Sequence, residues 1–555
     1  MNRWLFYRNL KSKDQHCFEY RYIRQDKFEN DRVFIKNDNY LIILDGVIFN
    51  NHQLIKKYNA SSWEDAVIKM YESTPDFFNQ LRGSFNGIIY DLCRNKILAF
   101  TNHLGERPVF YYKSDDICLV ASDFNMMHSF LKEHNISYSM SEYAMECMLT
   151  IGYMIDQTTY IHEIERLLPG HSITYANNKF ILSRYFEFNS NDTIEISDNE
   201  AIERIDECFR HALKQEFDKD CEYGYTSIID ISGGLDSRMV AFVAKDMGYN
   251  NSFFLCYSQS HGYEYKIAQE VADYLKKDVL FYPLNGGNCL MDIDELIEKN
   301  YGLNYYAGIT GGKKILSMLN TSGIGIEHTG LLGDMYEGTF NMKESQEPVH
   351  LEQRYRYSRI LSTDKIKIPD YYPNSEMFHF YTRGLLSGLN SHLIRRNYVE
   401  TFSPFMDVDF LKLSFFLPLS QRMSGHIFLK WMLAKYPEAA KIKYAKTHGY
   451  ILENPIKTKL RDTFLRGCHF LNRKAHSFFP TSIELKAYGM NPFDHWYNTN
   501  PILRQFINDY FQSGIKQMNV SENLKSDIIS VFNSDLPIDK LVALTVIGVY
   551  KKYFA

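Results

Sequence analysis

The sequence predicts an α/β protein built from two parts, and three observations support this prediction. Short strand-like apolar runs surround one helical stretch in the first 130 residues or so. Between residues 227 and 328, strand-like runs alternate with helical stretches. Such alternation is typical of βα units and of a parallel sheet covered on both faces. From about residue 375 onward the pattern is mostly helical.

Composition and charge are those of an ordinary soluble protein with a hydrophobic core. The chain has 555 residues, of which 45% are apolar and 23% are charged. That length is enough for about two to four domains. The net charge of −5 gives no electrostatic support for binding nucleic acid or an anionic membrane. We therefore expect no nucleic-acid partner and no membrane association.

The cysteines and the ends of the sequence indicate a cellular compartment. Nine cysteines are scattered without a Cys-x-x-Cys pair, and their number is odd. This argues for a reducing compartment and against a disulfide framework or a zinc site. The start lacks the apolar core of a signal peptide, and the apolar run at 541–550 is too short to span a bilayer. We expect a cytoplasmic protein.

Strand signals dominate the first part of the chain. Strands are predicted at 40–44, 85–90, 96–100 and 109–112, and residues 63–71 have helical spacing. The stretch 135–190 is predicted to be a connector with a turn at 168–171. In the second part, strands are predicted at 227–231, 253–257, 279–283 and 324–328. Ligands of such parallel sheets bind outside the carboxyl ends of the strands.

The most informative motif follows the first of these parallel strands. It consists of small residues and one carboxylate before a predicted helix at 238–247, namely Ser232, Gly233, Gly234, Leu235, Asp236 and Ser237. Glycines let the backbone approach an anion, and a helix N-terminus offers unpaired N–H groups to it. The two serine hydroxyls can add donors, and Asp236 can hold the Mg²⁺ that accompanies ATP. No lysine follows, so the motif is not a Walker P-loop. The alternative is an ordinary βα turn.

A second motif, Thr-Gly-Leu-Leu-Gly-Asp at 329–334, follows the strand at 324–328. Thr329 and Gly330 again put small residues at a strand end, and Asp334 can share one Mg²⁺ with Asp236. Taken alone, Asp334 is as readily explained as a helix N-cap or a turn residue. A reaction that builds charge on pyrophosphate also needs a fixed cation. Lys446 is our candidate for that cation, and Lys430 is the second choice.

In this order and spacing, the motifs resemble those of the asparagine synthetase family. Residues 232–237 resemble its PP-loop, the ATP site of enzymes that cut ATP between the α- and β-phosphates, and residues 329–334 resemble its second phosphate motif. The helix at 264–272 resembles the one after its adenine-side strand, which implies ATP contacts at Leu255 and Cys256. Residues 400–413 and Lys446 match later landmarks, the latter the family's pyrophosphate-contacting lysine.

The first part resembles a class II glutamine amidotransferase domain, through residues 45–50, 81–85 and 102–112. The resemblance implies an N-terminal-nucleophile hydrolase-like αββα domain at 1–185. It also implies a PP-loop synthetase domain, like the adenine nucleotide α-hydrolases, at 195–555.

The glutamine site of that domain is degenerate in this sequence. A glutaminase of this class needs a mature N-terminal cysteine whose α-amine serves as its base. Removal of Met1 would expose Asn2, and the nearest cysteine, Cys17, is internal. Asp45 stands where the oxyanion asparagine is expected, Trp63 falls at the glutamine-binding aspartate, and no HRGPD-like run is present. We predict that the domain does not hydrolyse glutamine.

The second phosphate motif also departs from the family pattern. Leu331 and Met335 replace two acidic residues of asparagine synthetases, and this combination is similar to β-lactam synthetases and lasso-peptide cyclases. We therefore expect an ATP- and Mg²⁺-dependent ligase that adenylates a small-molecule or peptide carboxylate and transfers it to an amine. Tyr336, Glu337 and Glu400 are weak candidates for the base that deprotonates the amine. A homodimer is possible.

Three alternatives remain open at this stage. The first is asparagine synthesis from free ammonia, which the replacements at Leu331 and Met335 disfavour. The second is a non-catalytic scaffold in a biosynthetic cluster, which the intact first motif disfavours. The third is sulfur transfer or tRNA modification, for which no catalytic cysteine pair or basic face is seen.

Overall fold

The computed structural model describes most of the chain. The described residues are 2–12, 14–177, 179–260, 262–309, 312–341, 343, 346–351, 353–445, 449–451 and 489–555. Among them, no helix is both long enough and apolar enough to cross a membrane.

The described residues form antiparallel sheets, one parallel sheet and many helices. The strands are β1 (Arg3–Asn9), β2 (Phe18–Ile23), β3 (Val33–Lys36), β4 (Tyr40–Ile48), β5 (Gly83–Asp91), β6 (Lys96–Thr101), β7 (Phe110–Tyr112), β8 (Ile117–Ala121), β9 (Ile164–Arg166), β10 (His171–Ala176), β11 (Lys179–Arg184), β12 (Thr226–Asp230), β13 (Ser252–Ser258), β14 (Val279–Pro283), β15 (Ile324–His328) and β16 (Glu400–Phe402). The α-helices are α1 (Asn51–Lys57), α2 (Trp63–Ser73), α3 (Phe124–Glu133), α4 (Glu142–Ile151), α5 (Asp198–Tyr223), α6 (Asp236–Asp246), α7 (Tyr263–Leu275), α8 (Ile293–Asn300), α9 (Lys313–Met318), α10 (Ser375–His379), α11 (Asn390–Arg395), α12 (Val408–Phe416), α13 (Leu419–Arg422), α14 (His426–Lys435), α15 (Phe493–Thr499), α16 (Pro501–Gln517), α17 (Glu522–Phe532) and α18 (Pro537–Tyr553), with a π-helix at Phe380–Gly388.

Two antiparallel sheets pack face to face in the first part of the chain. Their strand orders are β2-β1-β8-β7-β9 and β11-β10-β6-β5-β4-β3. Alternate apolar residues of both sheets, such as Trp4, Ile43 and Ile88, bury one another between the sheets. Helix α2 covers the outer face of one sheet, and α3 with α4 covers the outer face of the other. The layers are therefore helix, sheet, sheet and helix, as predicted.

The stretch 135–190 is not a connector, which corrects the prediction from sequence. It contains α4 and three strands, and β10 pairs with β6 inside the six-stranded sheet. The predicted turn at 168–171 exists, with Gly170 at a φ of 67° in the left-handed region. Glycine adopts this backbone conformation without strain. The turn leads directly into β10 instead of linking two domains.

The second part contains a five-stranded parallel sheet in the order β14-β13-β12-β15-β16. Helices α5, α6, α7 and α14 bury one face, while α9 covers part of the other. The chain moves outward from β12 on one side and later returns to add β15 on the other side. The carboxyl ends of β12 and β15 therefore form a switch point, where open α/β sheets bind ligands.

The helical end of the chain packs back onto the first part. Apolar residues of α18 share a core with α3, α4 and α8. The Tyr553 hydroxyl donates a hydrogen bond to Asn125 Oδ1 at 2.9 Å. With antiparallel sheets first, a parallel sheet next and helices after it, the predicted α/β fold class is confirmed.

Candidate active site

The loop after β12 is compact and is held by its own hydroxyl groups. Ser232 and Ser237 place their Oγ atoms 3.1 Å apart, and Gly234 N–H donates to Ser232 Oγ at 3.2 Å. Helix α6 begins at Asp236. The side chain of its N-cap residue, Leu235, makes no hydrogen bond to the first turn. The N-terminus of α6 therefore lies at the carboxyl end of β12, where such helix ends bind anions in other proteins.

The second motif packs against the first at Asp236. A Cβ atom added at Gly333 would lie 2.4 Å from Asp236 Cγ, and one at Gly330 would lie 2.6 Å from Ser237 N. Thr329 N–H donates to Phe402 O at 2.8 Å, so β16 fixes this loop from the other side. Only glycine allows the two loops to approach this closely.

The acidic residues in this region suit a magnesium ion that is shared with phosphates. Asp236 begins α6, and Asp334 is exposed on a short 3₁₀ helix, Gly333–Glu337. Within the described ranges, no group of three or more His, Cys, Asp or Glu side chains could hold a metal by itself. Mg²⁺ normally takes one or two carboxylates plus substrate phosphates and water. Two carboxylates beside an anion-binding helix end fit that requirement.

The structure describes only one of the two lysines, Lys446 and Lys430, that were predicted to stabilise pyrophosphate. Lys446 lies outside the described residues. Ala445, which precedes it, donates its N–H to Gly233 O at 3.1 Å, and buried Arg238 of α6 bonds to the carbonyls of Ala439 and Ile442, both at 2.9 Å. The chain is thus tied to the first loop immediately before Lys446.

Lys430 is placed away from the two loops. It projects from α14, its ammonium bonds to the Asp198 carboxylate at the start of α5, and its side chain is 44% exposed. It does not line the cleft described below. Leu255 and Cys256 also do not line that cleft, because their side chains are buried on opposite faces of β13. A contact between these two residues and a nucleotide in the cleft would have to use their backbone.

A cleft of about 330 Å³ opens where the two loops meet. Both loops line one wall, through residues such as Ser232, Asp236, Thr329 and Gly330. Helix α11 lines another wall with side chains that the sequence analysis missed, together with two strand residues: Ser391, His392, Arg395, Asp230 and Tyr257. Asp230 ends β12, so its position could have been inferred from the strand. The α11 residues carry no local motif.

Arg395 is the centre of a charged cluster in this cleft. Its guanidinium donates to Asp230 Oδ2 at 2.7 Å and also bonds to Glu327 and to the Tyr257 hydroxyl. Burial raises the pKa of Glu327, and the Asp230 charge adds to this, while Arg395 opposes it. The guanidinium is therefore held between the side chains of Asp230 and Glu327. A buried guanidinium held in this way has a fixed position in the wall.

Asp45, which the resemblance places at the glutamine site, is surrounded by charge pairs. Asn2 Nδ2 donates to Asp45 Oδ1 at 2.6 Å, and Arg32 and Arg107 lie 3.2 and 3.4 Å from the same carboxylate. Cys17 is exposed beyond the far end of β1, because Arg8 pairs with Phe18 in the β1–β2 hairpin. Six residues of strand separate the two ends, or about 20 Å.

Comparisons with known proteins agree with this architecture. Residues 29–186 match the model of the glutamine amidotransferase domain. The chain is 24% identical over 221 residues to asparagine synthetase [glutamine-hydrolyzing] 3 of Bacillus subtilis, which covers 38% of this chain and 34% of that protein. This chain is therefore similar to an asparagine synthetase over part of its length. It is also 22% identical over 217 residues to amidase chyE of Penicillium rubens, covering 37% of this chain and 30% of the relative.

The chain matches only about a third of the length of these curated relatives. Among solved structures, the glutamine phosphoribosylpyrophosphate amidotransferase of B. subtilis covers 50% of this chain and 84% of its own, at 10% identity and a TM-score of 0.23.

Two of the three residues predicted as the base that deprotonates the amine lie outside the cleft. The buried Tyr336 hydroxyl donates to Phe410 O at 2.9 Å, and Glu400 pairs with Arg107 of the first part at 2.5 Å. Neither residue lines the cleft, and the Glu337 side chain is outside the described part. Both described residues have structural partners, so the base has to be sought elsewhere.

Proposed function

We propose that this chain is an ATP-dependent amide-bond-forming ligase. It adenylates a carboxylate with release of pyrophosphate and transfers the acyl group to an amine with release of AMP, without using glutamine. The single observation that carries the proposal is the packing of Gly330 and Gly333 against Asp236 and Ser237 at the switch point of the parallel sheet. Two loops with small residues and carboxylates at that point form a site for a metal-bound polyphosphate.

The residues of the two loops, together with Lys446, would divide the chemistry of adenylation among them. The first turn of α6 and the hydroxyls of Ser232 and Ser237 would bind phosphate oxygens. Asp236 and Asp334 would hold Mg²⁺, which neutralises phosphate charge when bound. Lys446 would stabilise the charge that develops on the leaving pyrophosphate. The carboxylate substrate attacks the α-phosphorus, the bond to the β-phosphate oxygen breaks, and an acyl-adenylate remains in the cleft.

The ion pairs around Asp45 support the part of the proposal that concerns glutamine. Hydrolysis of an amide needs hydrogen-bond donors at the developing oxyanion. At this position the Asp45 carboxylate is already paired with the side chains of Asn2, Arg32 and Arg107. Cys17 lies at the other end of β1, too far away to act as a nucleophile on a substrate bound near Asp45.

Exchange of labelled pyrophosphate into ATP tests the adenylation step. The full-length protein is incubated with MgATP and a panel of amino acids and short peptides as carboxylates. We expect exchange that depends on one class of carboxylate and is abolished by Asp236→Asn. Asp246→Asn is the matched control, because Asp246 is an exposed residue at the other end of the same helix and pairs with Arg210. No exchange with any carboxylate, or equal exchange in both variants, would contradict the proposal.

A further inference from the structure

A buried series of ion pairs connects the former glutamine site to the cleft. It crosses the contact between the two parts of the chain, and each member is within 4 Å of the next. The order is Asp45, Arg107 (3.4 Å), Glu400 (2.5 Å), Arg396 (3.7 Å), Glu106 (2.6 Å) and His392 (3.8 Å). With Arg32, which also faces Asp45 and Glu400, it contains three guanidinium groups and three carboxylates.

The two glutamates of this series are kept ionised by the guanidinium groups beside them. Burial disfavours ionisation of Glu400, but Arg107, Arg396 and Arg32 outweigh it and lower the pKa of Glu400 to about 2. Arg396 and His392 likewise lower the pKa of Glu106 to about 2 against the effect of burial. Glu400 and Glu106 are therefore ionised at neutral pH and pair with the guanidinium groups around them.

His392 differs from the other members because it lines the cleft and its ring nitrogens make no hydrogen bond within the described part of the chain. The side chain is 1% exposed. A buried polar group in that state is costly unless a ligand satisfies it. Burial lowers the pKa of His392 to about 4; the charges that face it are Glu106, which opposes the shift, and Arg396 and Arg395, which add to it.

The orientation of the ring follows from its one carboxylate neighbour. Glu106 Oε2 lies 3.8 Å from His392 Nδ1, so the tautomer with its proton on Nδ1 is electrostatically favoured. The lone pair is then on Nε2, the ring nitrogen not directed at Glu106. A base oriented by a second carboxylate in this way is the arrangement that activates nucleophiles in many enzymes.

We propose that His392 accepts the proton of the attacking amine in the second half-reaction and that Glu106 is its positioning residue. This inference rests on the function proposed above. The neutral amine nitrogen forms a bond to the acyl carbon, the bond from that carbon to the AMP oxygen breaks, and the proton leaves nitrogen for His392 Nε2. AMP departs as an anion, and His392 returns the proton to solvent.

Nitrogen NMR of the full chain labelled at histidine tests the state of the ring without any carboxylate. The His392→Gln spectrum identifies the resonances. We expect a neutral ring from pH 5 to 9 with its proton on Nδ1, and a change of the Nε2 signal when MgATP is added. Titration near the ordinary histidine pKa of about 6.5, or a proton on Nε2, would overturn the proposal.

Kinetics of the two half-reactions separate this inference from the proposed function. With the carboxylate that supports exchange, His392→Gln should slow amide formation from ammonia or a primary amine by about 10²-fold more than it slows pyrophosphate exchange. Hydroxylamine, which is largely unprotonated at neutral pH, should restore part of the product. Equal loss in both half-reactions would refute the role. A wild-type protein without exchange would refute the proposed function, while the NMR result would still report on the ring.

Two further variants complete the design. His426→Gln changes an exposed histidine on α14 and should match wild type in both half-reactions. Glu106→Gln should lower amide formation by about tenfold and shift its dependence on pH, because the tautomer is then less biased. A uniform loss of both activities at every pH would mean that Glu106 is only structural and would contradict its positioning role.

Discussion

Substitution of Gly333 by alanine should separate the two loops that form the cleft. The added Cβ would lie 2.4 Å from Asp236 Cγ and 2.5 Å from its Oδ1. Non-bonded carbon atoms normally stay about 3.5 to 4.0 Å apart, so the carboxylate or the loop has to move by about 1 Å. Gly333 has no positive φ, so the backbone itself accepts alanine and the collision is the only strain.

Overpacking of this kind costs about 1 to 3 kcal/mol. Asp236 is only partly buried, so we expect the loops to shift and the fold to persist. If the cost falls on the arrangement that binds MgATP, the affinity drops about 5- to 150-fold. Turnover should fall further, because a misplacement of about 1 Å at reacting groups can cost about 10²-fold.

Calorimetric titration with MgATP measures this effect, and thermal unfolding checks that the variant is folded. Gly323→Ala is a matched control. Gly323 immediately precedes β15, the strand that leads to the second loop, and an added Cβ there meets nothing within 4 Å. It should bind MgATP like wild type and be equally or slightly more stable. If Gly333→Ala also binds MgATP like wild type, the close approach of the two loops does not shape the nucleotide site.

Three further predictions concern the lysine, the degenerate site and acid stability. Lys446→Ala should bind MgATP with a modest loss but turn over about 10²-fold more slowly; a nearly unchanged rate would contradict its role. Glutamate release from glutamine should stay at background, and release that Cys17→Ala abolishes would mean that the first part is an active glutaminase. Because the pKa values of Glu400 and Glu106 fall to about 2 in the folded protein, their stabilisation is full above the unfolded value of about 4.3 and is lost as pH falls towards 2. Glu400→Gln should therefore lower the Tm at pH 7 and flatten its decline between pH 5 and 3; an unchanged decline would contradict the ion-pair assignment.

Local signals in the sequence predicted eight of the sixteen strands that the structure describes. The strands at β4, β5 and β12–β15 and the start of α6 were found within a few residues, because apolar runs and glycine turns determine them locally. Strand β16 was missed, since three residues carry no periodicity and their pairing with β15 joins positions about 70 apart. The β10–β11 hairpin was missed because the turn signal at its start was interpreted as part of a connector.

The candidate site was predicted only where a motif marks it. The glycine loops could be read from the sequence because their backbone geometry demands particular residues. His392 and Arg395 lie on a short helix about 155 residues after the first loop, and nothing local distinguishes them from packing residues. The ion pairs that reach His392 join residues 45, 106, 107, 396 and 400, and such long-range pairs depend on the tertiary fold alone.

The products formed from ATP test the central claim most directly. Phosphorus NMR of a reaction with wild-type protein, MgATP, the carboxylate found by exchange and an amine identifies them without a coupled assay. The account predicts AMP and pyrophosphate in equal amounts, formed together with one amide for each ATP. ADP and inorganic phosphate would contradict it, because the attack would then have occurred at the γ-phosphorus and not at the α-phosphorus.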